Sequence, residues 1–181
     1  MVQAPVQKTT QELATLAVDL IRQAGCEYGD IRICNYRKQS LSARDRSLNR
    51  LCDNVSCGFG VRVLLDGAWG FVASHRITPE EITRIVNLAV ETAKGSRLTQ
   101  QEPVKLVPVE AYQDKYVTPI QIDPFEVSIQ AKAELLLDIN EQFLAYGKQG
   151  IKKASSFLSF TKEDKIFAST VGSIIEQTIY R

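Results

Sequence analysis

Residues Gly58 to Ser74, Gly-Phe-Gly-Val-Arg-Val-Leu-Leu-Asp-Gly-Ala-Trp-Gly-Phe-Val-Ala-Ser, constrain this chain more than any other stretch. Asp66-Gly67 supplies the two positive-φ positions of a type I′ turn, and apolar runs flank it on both sides, so the sequence predicts a tight β-hairpin. A two-residue loop fixes the register: Leu65 faces Ala68, Leu64 faces Trp69, Val63 faces Gly70, Arg62 faces Phe71 and Val61 faces Val72. Because strand side chains alternate between faces, Arg62, Leu64, Trp69 and Phe71 share one side, and Val61, Val63, Leu65 and Val72 share the other. Both faces are expected to be mostly covered. Gly60 and Gly70 sit where strand propensity disfavours glycine, so each marks a bulge, a bend or the close approach of another backbone. Packing is the plain explanation of these glycines; a peptide-binding edge is the functional one.

Around this hairpin the chain alternates between helical and strand periodicities. Thr9-Thr-Gln-Glu12 has the form of a capping box, and Leu13, Leu16, Ala17, Leu20, Ile21 and Ala24 follow at helical spacing before Gly25, predicting a helix over 10–24. Between Asp30 and Arg46 the period falls to two, which reads as two strands joined near Arg37-Lys38, with a third beginning after Asn54. Thr78-Pro-Glu-Glu81 then places an N-cap, an N1 proline and an N3 carboxylate in order, predicting a helix over 79–94 that Gly95 stops. Ser96 to Ile122, with three prolines, reads as a long connection holding a short extended piece near Val104 to Val109. Asp123-Pro-Phe-Glu126 repeats the helix-opening device for a helix over 124–146. Two strands, Phe157 to Thr161 and Ile166 to Ser169, are expected around the polar turn Lys162 to Lys165, and a last one runs from Ile174 to Arg181.

The expected fold is α+β, a mostly antiparallel sheet covered by about three helices, because hairpin signals dominate and regular βαβ alternation is missing. Helix, strands and helix followed by helix and strands suggests an internal duplication, with sub-units 1–95 and 123–181 joined by the linker 96–122. The chain ends inside a strand pattern, so it reads as truncated, and the final strand is expected at a sheet edge or against a neighbouring copy.

The 181 residues, 44% of them hydrophobic, suffice for one ordinary domain or two small ones. Lys+Arg 22 against Asp+Glu 21 leaves a net charge of +1, which gives no general field to attract nucleic acid or an anionic membrane. The basic group Arg37, Lys38, Arg44, Arg46 and Arg50 is interrupted by Asp45 and Asp53 and reads as a solvated strand surface. No leader-like succession follows Met1 and no apolar run approaches a membrane span, so a cytoplasmic protein is expected. Cys26, Cys34, Cys52 and Cys57 have no C-x-x-C spacing and read as reduced thiols. His75 is the single histidine, placed between a strand end and a helix cap with no second ligand at useful spacing, so a structural or surface role outweighs a catalytic one. Glu80 and Glu81 read as helix-dipole and capping carboxylates before they read as an acid/base pair.

Gly60-Val-Arg-Val, Asp66-Gly-Ala-Trp-Gly-Phe71, Thr78-Pro-Glu-Glu81 and the late Gly172-Ser-Ile-Ile-Glu-Gln177 resemble the N-terminal domain of the TldD/PmbA family, more the TldD than the PmbA branch. The resemblance covers most of the chain. It implies a parent that is a cytoplasmic zinc metallopeptidase clipping unstructured peptides, paired with a TldD/PmbA-type subunit. The family's zinc site uses an H-E-x-x-x-H helix and a later cysteine in the C-terminal part; two histidines four apart on a helix point the same way and leave an open position for water. This chain has no His-Glu pair, so those residues have no positions here onto which they can be carried. The chain alone is therefore expected to hold no zinc and to cleave no peptide. The implied function is that of an accessory domain shaping the substrate cavity and the subunit contact, with Arg62, Trp69, Phe71 and His75 as the expected peptide or interface contacts. The alternative is a protein-interaction module without catalysis, as the family's other name, modulator of DNA gyrase, suggests.

Overall fold

The computed structural model describes residues 9–181, apart from the side chains of Lys148 and Gln149. In chain order it comprises α1 (Thr10–Gln23), β1 (Tyr28–Arg44), β2 (Ser47–Leu65), β3 (Ala68–Ser74), α2 (Pro79–Arg97), β4 (Gln113–Val117), α3 (Ile129–Ala145), β5 (Ser155–Ser169) and β6 (Ile174–Tyr180). The strands form one mixed, mostly antiparallel sheet in the order β3-β2-β1-β5-β6-β4, so the fold is α+β. No helix among the described residues is long and apolar enough to cross a membrane.

The chain divides into two compact units. Among the described residues the first contains 9–35, 57–116 and 164–177. Here α1 starts at a complete capping box, with Thr9 Oγ1 accepting from Glu12 N and Glu12 Oε2 accepting from Thr9 N. Leu13, Ala17 and Ile21 recur along one helical face and are buried with Ile82, Ile85, Val86, Ala89 and Ala93 of α2 against Ile31, Ile33, Val61 and Val63 of the sheet. Each fully buried aliphatic side chain of this size contributes about 1.5–3 kcal/mol. The hairpin has the predicted register throughout, and Asp66 and Gly67 take φ of 49° and 72°. Gly70 is a packing glycine: a Cβ there would lie 2.0 Å from Ala89 O and 2.7 Å from Ala93 N, so the absence of a side chain lets α2 rest its backbone on β3. Phe71 fills the space over Gly60, where a Cβ would sit 2.9 Å from the ring.

The second unit contains 36–56, 117–163 and 178–181. Its core is Leu41 and Ala43 of β1 and Leu136 of α3, with Ala133, Leu137 and Leu158 packed around them. Lys132, Leu136 and Asn140 occupy the same face of α3 at four-residue spacing, and all three are buried. Lys132 Nζ donates to Gln39 Oε1 and lies 5.0 Å from the centre of the Phe160 ring; burial pushes its pKa down.

Several sequence expectations are corrected. The segment 28–44 is one strand, not two joined near Arg37-Lys38, because the polar residues there are paired across the sheet: Arg37 donates twice to Asp53, at 3.1 and 2.8 Å, and Gln39 donates to the same carboxylate at 2.8 Å. Its turn falls at Asp45, φ 54°, so β2 begins at Ser47 rather than after Asn54. Lys162 to Lys165 lies inside β5 for the same reason, Glu163 being buried with Tyr36 and Arg181 as partners. Gly95 does not stop α2, which runs on to Arg97. The extended piece of the connection is β4, not 104–109. The third helix opens at Ser128, whose Oγ accepts from Ala131 N, while Asp123 instead forms a local turn by accepting from Phe125 N. Finally, β6 lies between β5 and β4, so the last strand is interior to the sheet.

Candidate functional site

The first unit carries a cleft of about 340 Å³ lined by Glu27, Tyr28, Arg62 and Trp69 on one side and by Leu106 to Val109 with Val171 on the other. Alternation on three neighbouring strands builds the floor. Tyr28 and Asp30 lie two apart on β1, Arg62 comes from β2, and Trp69 comes from β3 two residues along the register from Phe71, the residue opposite Arg62. Asp30 is 1% exposed, yet its carboxylate is fully engaged: Oδ2 accepts from Arg62 Nε at 3.0 Å and from Nη2 at 2.6 Å, and Oδ1 lies 3.4 Å from Arg32 Nη1. A buried carboxylate so held cannot lose its partners cheaply, and it fixes the guanidinium in return. Arg62 then lies 4.7 Å from the Trp69 ring centre and 5.9 Å from that of Tyr28, and the two rings meet edge to face at 6.0 Å. Burial, reinforced by the Asp30 charge, pushes the Tyr28 phenol up, so it stays a neutral donor at physiological pH.

The opposite wall is a strap pinned at both ends. Val104 N and Gln100 Nε2 both donate to Gly67 O at 2.8 Å, and Pro103 lies so close that a Cβ on Gly67 would be 2.4 Å from Pro103 Cβ. Gly67 therefore has no side chain for two reasons, its φ and its neighbour. At the far end Tyr112 O accepts from Ile174 N at 2.9 Å and Tyr112 N donates to Ser173 Oγ at 3.1 Å. Between these anchors Leu106, Val107 and Val109 remain exposed, giving the cleft an apolar rim.

Of the four residues singled out from the sequence, the fold brings Arg62 and Trp69 together. Phe71 shares their face but is 61% exposed over Gly60, outside the cleft lining, and His75 is exposed just after β3, where its carbonyl accepts from Cys57 Sγ at 3.8 Å. Tyr28, Asp30 and the strap were not anticipated. Asp30 inside a strand alternation and the apolar run Val104 to Val109 were the available signals.

Glu81 is a second charged hub, and its role is structural. It is buried at the start of α2, accepts from Arg84, Ser74 and Arg76, and these partners, Arg84 foremost, lower its pKa from the usual 4.5 to about 2. Among the described residues no three His, Cys, Asp or Glu groups come together as a metal site. The residues lining the cleft do not fit a zinc ion. The cleft combines aromatic and aliphatic walls with the Arg62 guanidinium, the Tyr28 phenol and the Glu27 carboxylate, which accepts from Gly67 N at 2.8 Å.

Residues 29–93, which contain nearly all of β1, the hairpin and most of α2, match the family described as PmbA/TldA metallopeptidase domain 1. Fold and matched segment together make this chain similar to the first domain of that family. It is 30% identical over 155 residues to a metalloprotease of Methanocaldococcus jannaschii, covering 86% of this chain and 34% of the relative. It is 25% identical over 171 residues to a metalloprotease of Synechocystis, covering 91% of this chain and 36% of the relative. The chain thus spans about a third of the length of these curated relatives. Among solved structures it superposes on a protein of Thermotoga maritima provisionally named a modulator of DNA gyrase, with a TM-score of 0.72, 16% identity and coverage of 95% of this chain and 38% of that one. TldE from Thermococcus kodakarensis gives a TM-score of 0.67 at 16% identity, covering 90% and 36%. At these identities the structural likeness speaks for the fold alone.

Proposed function

We propose that this chain is the accessory N-terminal domain of a TldD-like, zinc-dependent cytoplasmic metallopeptidase acting on unstructured peptides, and that its share of the work is to seat the peptide and shape the cavity and subunit contact. The observation that carries this reading is the cleft itself: a fixed Arg62 guanidinium stacked on Trp69, facing an apolar strap, in a chain similar to a domain of a metallopeptidase family. A peptide places apolar side chains against Trp69, Leu106 and Val109 and a backbone carbonyl against Arg62, contacts that select extended chain over folded protein. Zinc ligands, on this reading, belong to another domain of the parent protein, and a TldD/PmbA-type subunit or a second copy completes the enclosure.

The test uses the parent protein. Trp69→Ala is expected to raise KM for a short unstructured peptide by about tenfold, the loss of roughly 1.4 kcal/mol of binding, while kcat and zinc content stay unchanged. An unchanged KM would remove the cleft from substrate binding. A parent with no peptidase activity that still captures a protein partner would favour the interaction-module reading.

A further inference from the structure

Two charged side chains line the cleft, and they differ in what faces them. Arg62 is held by the buried Asp30 carboxylate at 2.6 and 3.0 Å, so its charge is neutralised before any ligand binds. Arg32, 3.4 Å from the same carboxylate, stands over the Phe167 ring and is not part of the cleft lining. Glu27 is the exception. It is exposed in the link from α1 to β1, where its own amide donates to Leu64 O at 2.9 Å and its Oε1 accepts from Gly67 N at 2.8 Å. Those two bonds fix the carboxylate beside the Asp66-Gly67 turn, at the point where Gln100 and Val104 anchor the strap on Gly67 O. Neither bond brings a positive charge, and among the described residues no Lys, Arg or His pairs with Glu27. The uncompensated charge of the cleft lining is therefore negative.

We infer that Glu27 is a specificity-determining residue of this cleft, selecting a peptide segment with a lysine or arginine whose aliphatic stem lies along the strap and whose charged head meets the carboxylate. The walls decide what kind of cation fits. Leu106, Val107 and Val109 present exposed aliphatic surface, and Trp69 and Tyr28 add aromatic surface, so a small hydrated ion finds no partner there beyond Glu27. A long basic side chain suits both parts, because its methylenes bury against apolar groups while its head stays in water. At about 340 Å³ the cleft lies at the small end of ligand pockets, which span roughly 300–1,000 Å³, and it suits one long side chain with its backbone better than a run of bulky ones. An acidic segment meets repulsion from Glu27 and finds Arg62 already engaged; a neutral one gains only the walls. The inference rests on the peptide-seating reading of the cleft and adds to it the charge of the preferred substrate.

The experiment titrates the 181-residue chain with short peptides, acetylated and amidated at their ends, that share one Ala/Val frame and carry lysine, norleucine or glutamate at the centre. Fluorescence of Trp69, the single tryptophan, reports binding. Norleucine keeps the lysine stem and lacks the ammonium. Expected is an affinity about fivefold higher for the lysine peptide than for norleucine, the upper end for an exposed ion pair, with glutamate weakest. Raising the salt from about 50 mM to about 500 mM is expected to cut that preference to roughly twofold, since an exposed pair is screened. Glu27→Gln keeps an oxygen for Gly67 N, so it is expected to retain the circular dichroism spectrum and to bind the lysine and norleucine peptides within about twofold of each other. Equal affinity of the unaltered chain for lysine and norleucine, with Trp69 responding to both, overturns this inference and leaves the cleft reading standing. A lysine preference that survives in Glu27→Gln overturns Glu27 as its source. No Trp69 response to any peptide overturns both readings. A norleucine peptide that gains the same preference once its acetyl group is removed overturns the side chain as the selected cation and makes it the peptide's amino terminus.

Discussion

Replacing Gly70 by alanine adds one methyl group at the tightest contact between sheet and helix. The new Cβ would lie 2.0 Å from Ala89 O, 2.7 Å from Ala93 N and 3.1 Å from Ala89 C, all backbone atoms that no rotamer change can move. Restoring an ordinary carbon–oxygen separation of about 3.2 Å requires α2 to lift from β3 by roughly 1 Å, which loosens Ile82, Ile85, Val86 and Ala89 from Val61 and Val63. Overpacking of this kind costs about 1–3 kcal/mol, and a clash with backbone on both sides places it at the upper end. For a domain of this size about 3 kcal/mol lowers Tm by roughly 6–12 °C. Gly95→Ala, on the same helix but with nothing within 4 Å of the added carbon, is the control and is expected to hold or raise Tm through helix propensity. Thermal melts followed at 222 nm compare the three proteins. A Gly70→Ala variant melting within about 2 °C of the parent would refute the argument that this glycine exists to admit the helix backbone.

Other outcomes follow from the charged groups. Because the folded-state pKa of Glu81 is depressed, its contribution is present above pH 4.5 and is lost as pH falls from there towards about 2; Glu81→Gln is expected to flatten the stability profile over that window, and urea midpoints measured against pH check it. Arg62→Ala leaves the buried Asp30 carboxylate with only its longer contact to Arg32 and is expected to cost about 3 kcal/mol, whereas Arg62→Met combined with Asp30→Leu recovers most of the loss; a double-mutant cycle in urea reads this. Gly67→Val is expected to lose at least about 1 kcal/mol, since valine resists positive φ and its side chain would collide with Pro103, and a shifted urea midpoint checks it.

The elements that carry their own local chemistry were legible in the sequence. Asp66-Gly67 gave the hairpin and its register because both turn positions need positive φ, and Thr9 to Glu12 and Thr78 to Glu81 marked helix starts because their side chains satisfy the first amides. What periodicity misread were strands whose polar residues are satisfied from elsewhere. Arg37 looked like a turn until Asp53, sixteen residues on, supplied its partner, and Glu163 looked solvated until Tyr36 and Arg181 enclosed it. The same holds for the site. Arg62 and Trp69 were visible as neighbours on one hairpin face, but the strap wall needed the Gly67 and Ser173 anchors, which connect segments far apart in the chain. His75 and Phe71 share the neighbourhood in sequence, and the fold directs them elsewhere.

On the proposed function, this domain recognises peptide and leaves the cutting to residues outside it. Incubating the purified 181-residue chain with a short unstructured peptide and excess zinc, with and without chelator, and following cleavage by mass spectrometry tests that claim most directly. Intact peptide in both samples and no stoichiometric zinc retained by the chain are expected. Chelator-sensitive cleavage with one bound zinc per chain would contradict it.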